Sequence, residues 1–121
     1  MTSDGSARTR FRRALASGDA QLVLHAARDV QRMSVSEAFA VCLVLARHGD
    51  PRATRAWRRL TARAVAEHSA AQALRYRLDA ELAPLLRGDP AAARRAAALL
   101  ERAGFRGARR EAEERIAADT R

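Results

Sequence analysis

The sequence lacks lysine and asparagine altogether and has only one cysteine, one isoleucine and five aromatic residues. Because a disulfide needs two cysteines, Cys42 has no partner within the chain, and its place in an apolar run favours a small buried side chain over a reactive thiol. The longest apolar run, residues 38–46, has nine residues, whereas about 20 are needed to span a bilayer. Residues 1–7 are small and polar, unlike a signal peptide. We therefore expect a cytoplasmic protein without a membrane segment.

Residues that carry catalytic or metal chemistry are few and scattered. A metal site would need the three histidines to converge in space, and these lie far apart in the sequence: His25, His48 and His68. Three glutamates lie among arginines, which is typical of a solvated, salt-bridged helix face: Glu111, Glu113 and Glu114. No glycine-rich loop joins a strand to a helix. We predict no catalytic residue, no metal ligand, no cofactor and no enzymatic activity.

All 23 basic residues are arginine, and the net charge is +9. The absence of lysine and the abundance of alanine are typical of a genome rich in G and C, which accounts for part of the arginine content. The charge is unevenly distributed, since residues 1–63 hold 12 arginines and five acids whereas residues 64–121 hold 11 arginines and nine acids. Most of the positive excess therefore lies in the first half.

Apolar residues recur at helical spacing along almost the whole chain, and no segment alternates as a strand does. The predicted helices cover residues 7–16, 20–32, 35–47, 51–68, 69–87, 91–103 and 107–121. We expect disorder in residues 1–6, one helical domain in residues 7–105, and a charged helix or frayed tail in residues 106–121. The sequence thus predicts an all-α fold, a single-domain array of five to seven helices packed as antiparallel hairpins with no β-sheet.

Helix-end signals support these boundaries. Ser34 and Glu37 match a capping box, and Gly49-Asp50-Pro51 predicts a helix end followed by an N-cap aspartate and a first-turn proline. Pro84 predicts a kink or an early end of the fifth helix. The third helix is apolar nearly all round, so we expect it at the centre of the domain. The expected core includes Phe39, Leu43, Trp57, Leu60, Leu78 and Leu82.

The glycine-aspartate-proline turn occurs twice. Residues 49–60 and 88–99 share it and agree again at three later positions, and Gly18-Asp19 is a weaker third copy. The separations of 31 and 39 residues fit one helical hairpin per repeat, although the turn is also good capping chemistry that a chain can use twice. Residues 18–103 resemble the α-helical hairpin repeats of the tetratricopeptide and HEAT type, and are similar to short all-helical proteins of unassigned function from high-G+C bacteria. The resemblance implies a scaffold or partner-binding role and brings no site residues.

Four arginines form a stripe about 80° wide along the predicted fourth helix; they are Arg52, Arg55, Arg59 and Arg63. Arg58 points to another side. Guanidinium groups bind carboxylates and phosphates through paired hydrogen bonds, so the stripe suits an acidic protein or a phosphate backbone, and a solvated face is the third interpretation. We expect a helical interaction module that binds an acidic protein partner or a second copy of itself. The alternative is non-specific nucleic-acid binding through this stripe.

Overall fold

The computed structural model describes residues 3–67 and 71–119. Within these ranges the chain forms seven α-helices and no strand, which confirms the all-α fold class. The helices are α1 (Ser3–Ser17), α2 (Ala20–Ala27), α3 (Val35–Arg47), α4 (Arg52–Ala66), α5 (Ala71–Leu86), α6 (Pro90–Arg102) and α7 (Ala108–Asp119).

Helix α3 lies at the centre of the fold, as its apolar sequence predicts. It contacts α1, α2, α4, α5 and α7, and 11 of its 13 residues are buried. A helix that is covered on all sides has no polar face to present to solvent, and this accounts for its nearly unbroken apolar run.

The helices from α3 to α7 form a closed circuit. Each packs against the next in the sequence, as expected for helical hairpins joined by short turns, and α7 then returns to pack against α3. In an open solenoid, by contrast, a repeat contacts only its neighbours. The return of α7 therefore gives the five helices a common interior.

The core consists of two clusters that share α3. The larger one includes Phe39 and Trp57, whose ring centroids lie 6.1 Å apart. The indole Nε1 of Trp57 also donates to the carbonyl oxygen of Leu78 over 3.1 Å, so its polar atom is satisfied inside the core. The smaller cluster lies where α1 and α2 cover α3. Of the six predicted core residues, only Leu82 is incompletely buried.

Local capping chemistry is found at the predicted places. Both hydrogen bonds of the Ser34–Glu37 capping box form. The two glycine-aspartate-proline turns make the same bonds: Gly49 and Gly88 adopt positive φ, and the carboxylates of Asp50 and Asp89 each accept a backbone N–H two residues ahead over 2.9 Å. Pro90 opens α6, whereas Pro51, predicted as the first helical residue, immediately precedes α4.

Two helix boundaries differ from the predicted ones by several residues, and the early end of the fifth helix, one of the two alternatives predicted at Pro84, is not found. Helix α1 begins at Ser3, so residues 3–6, predicted to be disordered, form its first turn. Helix α2 ends at Ala27 and not at residue 32. Residues 28–29 and 31–32 form turns instead, and Arg32 adopts a left-handed φ of 54°. Helix α5 continues through Pro84 to Leu86. The predicted start of the fifth helix at residue 69 lies outside the described residues.

The charged C-terminal segment forms α7, which packs against α3 and α6. Ala108 and Ala112 are fully buried in the larger core cluster, and Ile116 packs against that cluster. The small alanine side chains allow α7 to approach its neighbours closely.

Candidate basic interface

The histidines do not converge in the described part of the chain. His25 is exposed on α2, and His48 is the C-cap residue of α3. The Nε2 atom of His48 lies 2.5 Å from the carbonyl oxygen of Gly18 and donates to it. His68 lies outside the described residues. Across residues 3–67 and 71–119, no group of three histidine, cysteine or carboxylate side chains is arranged to hold a metal ion.

The thiol of Cys42 is buried in α3. Burial penalises the thiolate and raises the pKa of this thiol to about 12. At neutral pH the side chain is therefore a small apolar group and not a nucleophile.

Most acidic side chains of the described residues are already engaged within the fold. Arginine pairs with Asp29, Glu37, Asp50, Glu67, Glu81, Glu111, Glu113, Glu114 and Asp119. Asp19, Asp89 and Glu101 accept backbone N–H groups at helix ends. Asp79 is an exception, since it is exposed and none of the described residues pairs with it. The positive excess therefore lies in arginines that the fold leaves without a carboxylate.

Two members of the predicted stripe have internal partners. The guanidinium of Arg52 binds the carboxylate of Asp50 through two hydrogen bonds of 2.9 and 2.7 Å. These bonds, and the bond from the Arg52 backbone N–H, lower the pKa of Asp50 to about 2. Arg63 donates to the carbonyl oxygen of Met33 and lies 3.6 Å from the carboxylate of Glu67. Arg52 and Arg63 are thus occupied at either end of α4.

The remaining two stripe residues lie beside Arg58 on the solvent side of α4. Arg55, Arg58 and Arg59 are exposed and line one shallow depression, and among the described residues no carboxylate pairs with them. We call these three residues the α4 basic face. Arg58, predicted on another side of the helix, therefore lies with Arg55 and Arg59.

The opposite side of α4 explains why this face is fixed in place. Ala53, Trp57, Leu60, Thr61 and Ala64 are buried. Arg55 precedes Trp57 by two residues, and at about 100° per residue it points nearly opposite to the indole. The basic face therefore lies on a helix that is held by the largest buried side chain of the protein.

A charged cluster around Glu111 is buried, and the sequence did not predict it. Glu111, predicted on a solvated face, is 6% exposed and pairs with Arg12 at 2.7 Å and with Arg115 at 3.5 Å. The hydrogen bond with Glu111 raises the pKa of Arg12, whereas desolvation lowers the pKa of Arg115. The cluster joins α1 to α7. Because its charges compensate one another, it offers little free charge to a ligand.

Comparison with known proteins adds no relative. A scan against protein-family models, a search of curated proteins and a search of solved structures each found no match for this chain. None of the described helices combines the length and the apolar character needed to cross a bilayer.

Proposed function

We propose that this protein is a non-enzymatic, cytoplasmic helical module that binds an acidic protein partner through the α4 basic face. The observation that carries the proposal is the set of three adjacent arginines, Arg55, Arg58 and Arg59, to which the described fold supplies no carboxylate. No other helix of the described chain presents three such arginines on one surface. Because no internal ion pair has to be broken, a partner's carboxylates gain the full benefit of these guanidinium groups.

Most of the protein's own carboxylates are already paired, and this favours a different protein over a second copy as the binding partner. A second copy would have to supply acidic side chains to the α4 basic face, and those of the described residues are almost all paired or used as helix caps. Charge complementarity therefore points to a partner with free carboxylates, and such complementarity mainly sets specificity and association rate.

Non-specific nucleic-acid binding is the second candidate, favoured by the net charge of +9. Proteins that bind single strands without sequence preference combine a basic groove with aromatic side chains on which bases stack. The α4 basic face has no aromatic residue, and the exposed aromatic Tyr76 lies on α5. Nucleic-acid binding by this face would therefore consist of contacts to duplex phosphates alone, and the affinity of such binding depends strongly on salt.

A charge-reversal experiment tests the proposal. The triple variant Arg55→Glu, Arg58→Glu, Arg59→Glu is compared with a control triple variant, Arg75→Glu, Arg87→Glu, Arg109→Glu. The control residues are exposed arginines elsewhere on the surface for which the described residues also offer no carboxylate. Both variants have the same net charge, so a difference between them reports position and not total charge.

The probes are poly-L-glutamate and random-sequence duplex DNA at about 0.15 M salt, where screening is effective beyond about 8 Å. We expect poly-L-glutamate to bind wild type, the α4 variant to lose about tenfold or more in affinity, and the control to lose much less. Equal losses in the two variants would show that only net charge matters and would overturn the proposal. Tight DNA binding, with a salt slope that the α4 variant flattens by about three units, would establish the second candidate instead.

A further inference from the structure

A second surface, separate from the α4 basic face, lies between α5 and α6. Tyr76, Ala80, Ala98 and Leu99 form an apolar floor in an open groove of about 360 Å³. We call it the α5–α6 groove. Two antiparallel helices that leave a groove between them present a surface into which the side chains of a third helix can pack.

Tyr76 is the most exposed large apolar side chain of the described chain, with 80% of its surface accessible. None of the described residues binds its hydroxyl or stacks on its ring. Tyrosine and arginine are among the residue types over-represented at the energetic centres of protein interfaces, because both bury a large surface and still make hydrogen bonds. An exposed tyrosine on an apolar surface is therefore typical of a protein-interaction site.

The charge at the groove is positive at one end. Glu81 is neutralised by Arg95, whose guanidinium binds both carboxylate oxygens at 3.0 to 3.1 Å. Arg77 and Arg102 also line the groove, and the described residues supply no carboxylate to either. Helices α5 and α6 run antiparallel, and Glu81 on α5 pairs with Arg95 on α6. The first part of α5 therefore lies beside the last part of α6. Arg77 and Arg102 therefore occupy the same end of the groove, beside Tyr76.

We infer that the α5–α6 groove binds an amphipathic helix of a partner protein that has apolar anchors on one face and carboxylates in its last turn. The anchors pack on Tyr76 and Leu99, and the carboxylates pair with Arg77 and Arg102. The C-terminal end of a helix is itself partially negative, so that end lies at the arginines. This is the helix-in-groove mode of peptide recognition. The inference rests on the proposed function in assuming an acidic protein partner, but it uses different residues.

The test uses the full chain and a fluorescent synthetic helical peptide with leucines at helical spacing on one face and three glutamates in its last turn. Two matched peptides have either serine in place of the leucines or arginine in place of the glutamates. At about 0.15 M salt, fluorescence anisotropy should show saturable binding of the first peptide and at least tenfold weaker binding of both matched peptides. Failure of the first peptide to bind would overturn the inference, as would equal binding of all three.

Variants then locate the binding site. Tyr76→Ala, and separately the pair Arg77→Glu, Arg102→Glu, should each weaken peptide binding about tenfold or more, since they remove the aromatic anchor or the positive end. The control pair Arg75→Glu, Arg87→Glu changes two arginines outside the groove lining and should have a much smaller effect. All these side chains are exposed, so helical circular dichroism should stay the same. Equal losses in the groove pair and the control pair would overturn the inference.

The α4 triple variant separates this inference from the proposed function. Groove binding predicts that this variant retains much of its affinity for the peptide while losing poly-L-glutamate. If the α4 variant loses the peptide and the groove variants retain it, the α4 proposal stands and the groove inference fails. If wild type self-associates in light scattering and Tyr76→Ala abolishes that association, a second copy occupies the groove and the inference is also overturned.

Discussion

The guanidinium of Arg12 binds the carboxylate of Glu111 at 2.7 Å, although 99 residues separate them in the chain. The pair connects α1 with α7, and Arg115 supplies a second cation to the same carboxylate. The side chain of Arg115 is 11% exposed, so it depends on Glu111 and Glu114 for compensation of its charge. Glu111 is therefore the central residue of this buried cluster.

Removing the charge of Glu111 should destabilise the protein. Glu111→Gln leaves the buried guanidinium of Arg115 with less compensation, and we expect a loss of about 2–3 kcal/mol in the free energy of unfolding. Urea denaturation followed by circular dichroism measures it. Glu113→Gln is the control on the same helix, since Glu113 pairs with Arg94 on the surface, and it should leave the urea midpoint nearly unchanged. Equal midpoints for both variants would contradict a structural role for the cluster.

Acid should weaken the fold below pH 4. The hydrogen bonds from Arg52 lower the pKa of Asp50 from 3.8 to about 2. Burial opposes the charged form of Glu37, but hydrogen bonds from Arg8 and Ser34 outweigh it, so its pKa is lowered as well. A carboxylate with a lowered folded-state pKa contributes stability above its unfolded-state pKa and loses that contribution as pH falls through the folded value.

The melting temperature measured at several pH values between about 5 and 2 tests this dependence. It should fall across this range, and Asp50→Asn should make the fall between about pH 4 and 2 shallower, because the variant lacks that titration. The control is Asp79→Asn, which removes an exposed carboxylate that has no partner in the described part of the chain. An unchanged pH profile for Asp50→Asn would show that its pairing with Arg52 does not contribute.

Cys42 should be inert in the folded protein. Burial raises the pKa of its thiol to about 12, and thiol reagents attack the thiolate. A colourimetric disulfide reagent should therefore label native protein at the rate of unfolding and label denatured protein at once. Rapid labelling of the native protein at neutral pH would mean that the region around α3 opens locally.

The two glycine-aspartate-proline turns should respond alike to alanine. Gly49 and Gly88 have φ of 63° and 80°, and an added Cβ meets nothing within 4 Å at either position. Only backbone strain remains, so Gly49→Ala and Gly88→Ala should each cost about 1–2 kcal/mol, and the double variant should show the sum. Thermal denaturation checks this, and strongly unequal costs would mean that the turns differ in their role.

The helical plan could be predicted because its signals are local. Ser34 and Glu37 are three residues apart, so one turn of helix contains the whole capping box. The apolar run of α3 is likewise continuous in the sequence, and it predicts a central helix. The early end of α2 was not predictable from its own sequence. In the segment after α2, the carbonyl oxygens of Gln31 and Arg32 accept hydrogen bonds from the guanidinium of Arg8 on α1, over 3.5 and 3.4 Å.

The candidate site was only partly predictable. Helical spacing placed Arg55 and Arg59 together, but it could not show which arginines the fold would occupy. For the stripe ends a local signal existed, because Asp50 precedes Arg52 by two residues and Glu67 follows Arg63 by four. No local signal reveals the α5–α6 groove, since Tyr76 and Leu99 lie on different helices and line one groove only when these helices pack.

The return of α7 to α3 affects how the chain is made. About 72 residues separate the end of α3 at Arg47 from the end of α7 at Asp119, and ribosomes add about 5–20 residues per second. The central helix, which holds the longest apolar run, is therefore synthesised roughly 4 to 14 seconds before the helix that covers it is finished. During that interval the α3 surface that later contacts Ala108 and Ala112 lacks its native cover, and it is the surface that a nascent chain of this protein must keep from aggregating.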